Sequence, residues 1–212
     1  MSLALGTQEI LSGVSRETAE RLQVYHDLLV KWQKQINLVS PSTIPDAWQR
    51  HFLDSMQIAP LITGGTSLVD FGSGAGFPGL VLAIMNVDGP LTNVHLVESN
   101  GKKAAFLRAV LRDIGLAKTG MTVTVHNERV EVVSTTMPAP DWITARALSS
   151  LSELLTMSAP LWGAPTRAIF PKGREHKAEI TQAEASHNFS YAVHDSRSGD
   201  GSVLVEITEF SH

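Results

Sequence analysis

The chain has 212 residues, 43% of them hydrophobic and 18% charged, with a formal charge of −4 at pH 7. This is a globular composition, long enough for one ordinary domain with a short extension, and it is not basic enough overall to signal nucleic acid. Cysteine is absent, which excludes a disulfide framework, thiolate-held zinc or iron–sulfur clusters and a cysteine nucleophile.

No apolar run reaches the roughly eighteen residues of a membrane span, so no membrane partner is expected. Met1 to Gly13 lacks the basic and apolar regions of a secretory signal, and the expected compartment is the cytoplasm. In chain order, Ser15 is placed to cap a helix whose apolar face runs Ala19, Leu22, Tyr25, Leu29, Trp32 and Ile36. Pro45 suits the first turn of a second helix carrying Trp48, Phe52, Ser55 and Ile58, stopped at Pro60. Thr63-Gly64-Gly65-Thr66 reads as a hinge. The division expected is therefore a helical extension over 1–63 and one compact domain over 64–212.

From there short apolar runs alternate with helical segments. Strands are expected at Leu68–Phe71, Val94–Val97, Val123–Val125, Trp142–Thr144 and Ala168–Phe170. Helices are expected at Gly79–Met85, Lys102–Ile114, Val130–Ser134, Leu151–Ala159 and His176–Ala185. Two last strands, Phe189–His194 and Val203–Phe210, are separated only by a turn rich in Gly, Ser and Asp, so they should form an antiparallel hairpin. The pattern predicts an α/β, Rossmann-like fold with a seven-stranded, mostly parallel sheet, a terminal antiparallel hairpin and helices on both faces.

The most informative stretch is Leu68-Val-Asp70-Phe-Gly72-Ser-Gly74-Ala-Gly76-Phe77-Pro-Gly79. A strand enters a glycine turn that opens directly into a helix, where backbone amides and the helix dipole favour an anionic group. The spacing is G-x-G-x-G, whereas dinucleotide loops read G-x-G-x-x-G. With Asp70 before the loop, able to accept from an ammonium or from loop amides, this favours S-adenosylmethionine over a nicotinamide cofactor. Glu98 ends the next strand, 22 residues beyond Gly76, where a carboxylate can take both hydroxyls of a ribose. Arg146 follows the Trp142–Thr144 strand, at the edge where open α/β sheets bind substrate. His51 and Asp54, at i and i+3 of one helix, either pair with each other or line the site. Trp32 and Trp48 read as core. The histidines have no metal-ligand spacing, so no metal is expected.

With these motifs placed, the chain resembles the RsmG (GidB) family. The resemblance rests on Lys31-Trp32…Asn37-Leu38, Arg50-His51…Asp54-Ser55, the loop Asp70–Gly79 and Glu98…Lys102-Lys103…Phe106-Leu107. It continues through Arg129-Val130-Glu131, Arg146-Ala147 and Lys172-Gly173, in family order over about 15–180. The resemblance implies a class I methyltransferase acting on N7 of a guanine in small-subunit (16S) ribosomal RNA, either naked or in a ribosomal particle. It implies cofactor contacts at Gly72, Gly74, Phe77, Glu98, Val130, Glu131 and Arg146. The departures are Lys103 where many members have arginine, Ala75 where some have proline, and Thr144-Ala145 before Arg146 where serine is common.

Guanine N7 is nucleophilic while neutral, so no obligatory general base is expected and the catalytic work reduces to alignment, with Arg146 as a positioning residue. RNA-contact candidates are Lys102, Lys103, Lys172 and Arg174, and a monomer is the favoured state. The rival readings are a class I methyltransferase with another acceptor and a catalytically silent RNA-binding assembly factor.

Overall fold

The computed structural model describes residues 9–199 and 201–211. The sheet forms because the strand residues alternate between two apolar environments. Leu68, Val94, Leu96, Trp142, Ile169 and Leu204 face one core, while Val69, Phe71, Val97, Ile143, Ala145, Ala168, Phe170, Val203 and Val205 face the other. This is the period of two that a sheet covered on both faces requires.

The strands are β1 (Ser67–Phe71), β2 (Asn93–Val97), β3 (Thr122–His126), β4 (Trp142–Ala145), β5 (Arg167–Lys172), β6 (Asn188–Asp195) and β7 (Val203–Ser211). Their order is β3-β2-β1-β4-β5-β7-β6. The first five pair in parallel and β7 runs antiparallel to both β5 and β6. The order reverses between β1 and β4, so a crevice opens at their carboxyl ends, which is where ligands bind in such sheets.

One face carries α1 (Arg16–Gln33), α2 (Gly79–Met85) and α3 (Gly101–Ile114). The other carries α4 (Val130–Thr136), α5 (Leu151–Ser158) and α6 (His176–Glu184). Ser15 caps α1 by accepting from Thr18 N, as expected, but the helix stops at Gln33 and Ile36 lies beyond it. Gln33 itself prevents a longer helix: its Oε1 accepts from Leu38 N and Val39 N and its Nε2 donates to Val39 O. The chain therefore turns back on the helix end.

The second expected helix differs more. Pro45 lies outside it, and Trp48–Leu53 is a π-helical stretch that tightens into one α-turn, Asp54–Met56. Such wide turns are frequent at functional sites, and this one carries Arg50 and His51, with Asp54 directly after it. Nor is 63–66 a free hinge. Gly64 O accepts from Trp142 Nε1 at 2.6 Å, and Asp141 Oδ2 accepts from Thr66 N and Ser67 N at 2.7 and 3.0 Å.

The residues before Ser67 share the core of the α/β part. Leu22, Leu29 and Phe52 are fully buried in the cluster that holds Leu80, Leu82, Phe106 and Leu107. Burying each such side chain stabilises by about 1.5–3 kcal/mol. Tyr25 stacks on Phe77 with centroids 5.4 Å apart, and its hydroxyl donates to Ala75 O in the glycine loop. The extension is in this way welded to the loop.

Candidate active site

The turn between β1 and α2 is held in shape from below and from the side. Gly72, Gly74 and Gly76 have φ of 61°, 58° and 99°, a region that side chains rarely enter. At Gly72 the positive φ alone calls for glycine, since a Cβ there would meet only the exposed tip of Leu148, which can move aside. Glu98 closes the turn from β2: its Oε2 accepts from Gly74 N at 2.8 Å and its Oε1 from Asn100 N at 2.6 Å. Glu98 is 7% exposed, so it is a buried scaffold of the loop rather than a surface carboxylate at a strand tip. A carboxylate accepts up to about four hydrogen bonds, leaving capacity for a diol.

Asp70 lies underneath. It is fully buried, with Oδ1 accepting from Thr144 Oγ1 at 2.9 Å and Oδ2 without a hydrogen-bond partner. It lines neither cavity of the site and lies beneath the loop, between β4 and the start of α2. Burial pushes its pKa up to about 6, opposed by the hydrogen bond from Thr144 and by the nearby polar groups of Ser73 and Gly79.

Two cavities flank the turn and share Gly72, Gly74, Lys103 and Ala147. The smaller, of 320 Å³, is bounded by Val97, Val130, Leu148 and Met157, with Glu98, Glu131, Arg129 and Ser99 at its edge. The larger, of 710 Å³, is bounded by Phe77, His51, Asp54, Arg146, Thr43, Lys172, Arg174 and Ser198, among others. The sequence thus places Gly72, Gly74, Glu98, Val130 and Glu131 on the smaller lobe. It places Gly72, Gly74, Phe77, Arg146, Lys172 and Arg174 on the larger. Ala147, at the junction, has φ 53°, a strained conformation for a residue with a Cβ and a mark of functional loops.

Arg146 organises the larger lobe. Its Nη1 donates to Asp54 Oδ2 at 3.1 Å and to Arg50 O at 3.2 Å, and its guanidinium lies 5.0 Å from the centre of the Phe77 ring. Its Nη2 meets His51 Nδ1 at 3.2 Å. A guanidinium only donates, so Nδ1 accepts and His51 carries its proton on Nε2, which donates to Thr43 Oγ1 at 2.8 Å. Burial, with Arg146 and Arg50 nearby, lowers the His51 pKa to about 4. His51 and Asp54 therefore do not pair with each other; both serve Arg146.

The basic candidates part company. Lys102 is exposed, while Lys103 is half-buried and lines both lobes rather than pointing outward with it. Lys172 is no solvated charge: its side chain is 7% exposed and Nζ donates to Glu179 Oε2 at 2.8 Å and Ser149 O at 2.9 Å. Arg174 is exposed at the mouth of the larger lobe. Trp32 and Trp48 pack against Phe106 and Phe52, as core residues do.

Sequence reading missed Ser198 and Ser202 of the β6–β7 turn, Thr43 of the extension, and the Ala147-Leu148 pair. Only the composition of the 196–202 turn marked it, and composition does not say where a turn packs. Among the described residues no group of three or more His, Cys, Asp or Glu could hold a metal ion.

A glycine turn at the switch point, a buried acidic residue closing it and an apolar slot beside that acid fit an adenosine joined to an amino-acid tail, and with this sheet order they define a class I, S-adenosylmethionine-dependent methyltransferase. Solved structures share the fold. An O-methyltransferase from Bacillus cereus in complex with SAH superposes with a TM-score of 0.61 over 96% of both chains at 13% identity. A methyltransferase from Geobacter sulfurreducens gives 0.59 over 97% of this chain and 96% of that one, also at 13% identity. The sequence narrows the class further. The chain belongs to the GidB family, rRNA small subunit methyltransferase G, whose sequence profile matches residues 18–201. The relative from Paramagnetospirillum magneticum named Ribosomal RNA small subunit methyltransferase G is 47% identical over 210 residues, covering 98% of this chain and 97% of the relative. The one of the same name from Rhizobium meliloti is 45% identical over 202 residues, covering 93% and 92%.

Proposed function

We propose that this protein methylates N7 of a guanine in small-subunit ribosomal RNA. S-adenosylmethionine supplies an electrophilic methyl group on a sulfonium. The smaller lobe suits its adenosine, with Glu98 for the ribose and Val130, Leu148 and Met157 around the base; Gly72, Gly74 and Glu131 edge the same lobe. The larger lobe is then the acceptor side.

The observation that carries the reading is that, among the described residues, the acceptor lobe offers no waiting base. His51 is neutral with both ring nitrogens engaged, Asp54 is tied to Arg146, and Glu179 is tied to Lys172. An acceptor that must lose a proton before attack would need one of them. Guanine N7 attacks with an in-plane lone pair and needs only alignment, which can contribute about 7–11 kcal/mol. Methylation leaves that base positively charged. Because Asp54 compensates Arg146, the new charge develops beside an ion pair rather than an isolated cation. Arg146 keeps two of its five N–H donors for the acceptor.

The test is transfer of labelled methyl groups to small-subunit RNA and to small-subunit particles, followed by nucleoside analysis. Label in 7-methylguanosine supports the reading, and label in another base or in protein overturns it. We further propose that 1–63 is an integral extension of the 64–212 domain. The chain is proposed to act as a cytoplasmic monomer. Sedimentation at micromolar concentration reads the second point directly.

A further inference from the structure

The turn after β6 reaches back across the molecule to the extension. Gln57, 9% exposed, donates from Nε2 to Ser196 Oγ at 2.9 Å and to Asp54 Oδ1 at 3.0 Å, while its Oε1 accepts from Arg197 N at 2.6 Å. Ser198 Oγ donates to Asp54 Oδ1 at 3.0 Å. Ser196 Oγ in turn receives Ser198 N at 3.2 Å. These contacts join positions 139 to 144 residues apart in sequence, and Asp54 holds Arg146 with its other oxygen. A turn rich in Gly and Ser has few apolar atoms with which to pack, so its position rests on this polar clasp. Its hydroxyls at Ser198 and Ser202 form part of the wall of the larger lobe, near Arg174.

Resting on the acceptor reading above, we propose that the β6–β7 turn is a specificity element for the RNA strand, and that Gln57 is the residue that positions it. Seated by Gln57 and Asp54, the turn sets one wall of the acceptor lobe and presents the Ser202 hydroxyl to the phosphate or ribose flanking the target base, the single Ser198 proton being given to Asp54. Released, it leaves the cofactor lobe intact but widens the acceptor lobe, so RNA is held less well. Neither Gln57 nor any described residue of the turn borders the smaller lobe, which separates the two effects.

The experiment compares wild type, Gln57→Met, Ser198→Ala and the double variant in RNA-methylation kinetics, with calorimetric titration of S-adenosylmethionine alongside. Gln57→Met keeps the side-chain volume while removing its four hydrogen bonds, to Asp54 O, Asp54 Oδ1, Ser196 Oγ and Arg197 N, and Ser198→Ala, half-buried at the surface, provides a variant with little risk to folding. The expected result is a KM for RNA raised about fivefold or more, the size of one net hydrogen bond or slightly above. Alongside it kcat and cofactor affinity should move by less than about twofold, and the double variant should fall short of the product of the singles because both act through one turn. Transfer to RNA by wild type stands as the control for the acceptor reading. With that control positive, an unchanged KM in both folded single variants overturns this proposal alone, as does a loss of cofactor affinity equal to the loss in KM.

Discussion

Arg146 and Asp54 meet at 3.1 Å with side chains only 16% and 14% exposed, one at the end of β4 and the other on the helical turn of the extension. The pair is the seam between the two parts of the chain. Removing one member of a buried pair strands the other, which typically costs about 3–5 kcal/mol; with one in six parts of the surface still wet, the lower end applies. Asp54→Ala should therefore lower stability by about 3 kcal/mol and depress kcat, as Arg146 loses its anchor. Arg146→Met added to it should recover part of the stability and none of the activity. Urea denaturation of the single and double variants checks the first half, and single-turnover methyl transfer the second.

Glu98 offers a test of the cofactor lobe. Glu98→Ala removes the expected acceptor for a ribose diol and should weaken cofactor binding by on the order of 2–3 kcal/mol. It also orphans Gly74 N and Asn100 N, so the melting temperature of the free protein should drop measurably. Glu98→Gln keeps an acceptor oxygen and should recover most of the melting temperature but less of the affinity. A variant with intact affinity would place the ribose elsewhere.

Much of this architecture is written in local pattern. The alternation Leu68 against Val69 and Phe71, or Ile169 against Ala168 and Phe170, announces strands covered on both faces, and the glycine turn with Glu98 announces the ligand edge. What is not local was not legible. Nothing in the seven-residue spacing from Lys172 to Glu179, in the first turn of α6, says that the turn between them folds back to pair the two, and nothing near Ser198 says that Asp54 will receive it. The π-helical turn at Trp48–Leu53 was hidden for the same reason, since the spacing of Trp48, Phe52 and Ser55 fits an ordinary helix. The tertiary demand that Arg50 O, His51 and Asp54 all reach Arg146 accompanies the wider turn.

Two buried groups give opposite dependences on pH. The folded pKa of Asp70 is raised from 3.8 to about 6, so its contribution favours folding below pH 3.8 and is lost as pH rises through about 6. His51 is lowered from 6.5 to about 4. The unfolded chain therefore binds more protons between those values, and stability rises with pH across the same window. In the wild type the two slopes oppose each other. Asp70→Asn should steepen the gain in melting temperature between pH 4 and about 6.5 relative to wild type, and His51→Gln should reverse its sign. Difference curves against wild type isolate each group from the other carboxylates.

Ala147 sits in the left-handed region at φ 53° directly after Arg146. A non-glycine residue there costs about 1–2 kcal/mol, part of which returns as chain entropy when glycine is introduced. Ala147→Gly should stabilise the free protein by about 0.5–1 kcal/mol and weaken cofactor binding, because Ala147 borders both lobes and a looser backbone no longer holds Leu148 over Gly72. Thermal denaturation and calorimetric titration read the two effects separately. Stabilisation accompanied by tighter cofactor binding would show that the strain serves no purpose here.

The last prediction separates the lysines that the sequence groups together. RNA affinity should fall with rising salt, with a slope set by the number of phosphates neutralised. Lys102 is exposed on the first turn of α3 and borders neither lobe, so Lys102→Ala should lower that slope by up to about 1 while leaving cofactor affinity unchanged. Lys103 borders both lobes, and Lys103→Ala should weaken RNA and cofactor together. Lys172 is spent on Glu179 and Ser149, so Lys172→Met should leave the salt slope at its wild-type value and instead lower stability, as Glu179 is left unpaired at 27% exposure. Filter binding of small-subunit RNA across a salt series, run beside melting curves, distinguishes the three. A wild-type slope for Lys102→Ala together with a reduced one for Lys172→Met would move the phosphate contacts from the start of α3 to the end of β5.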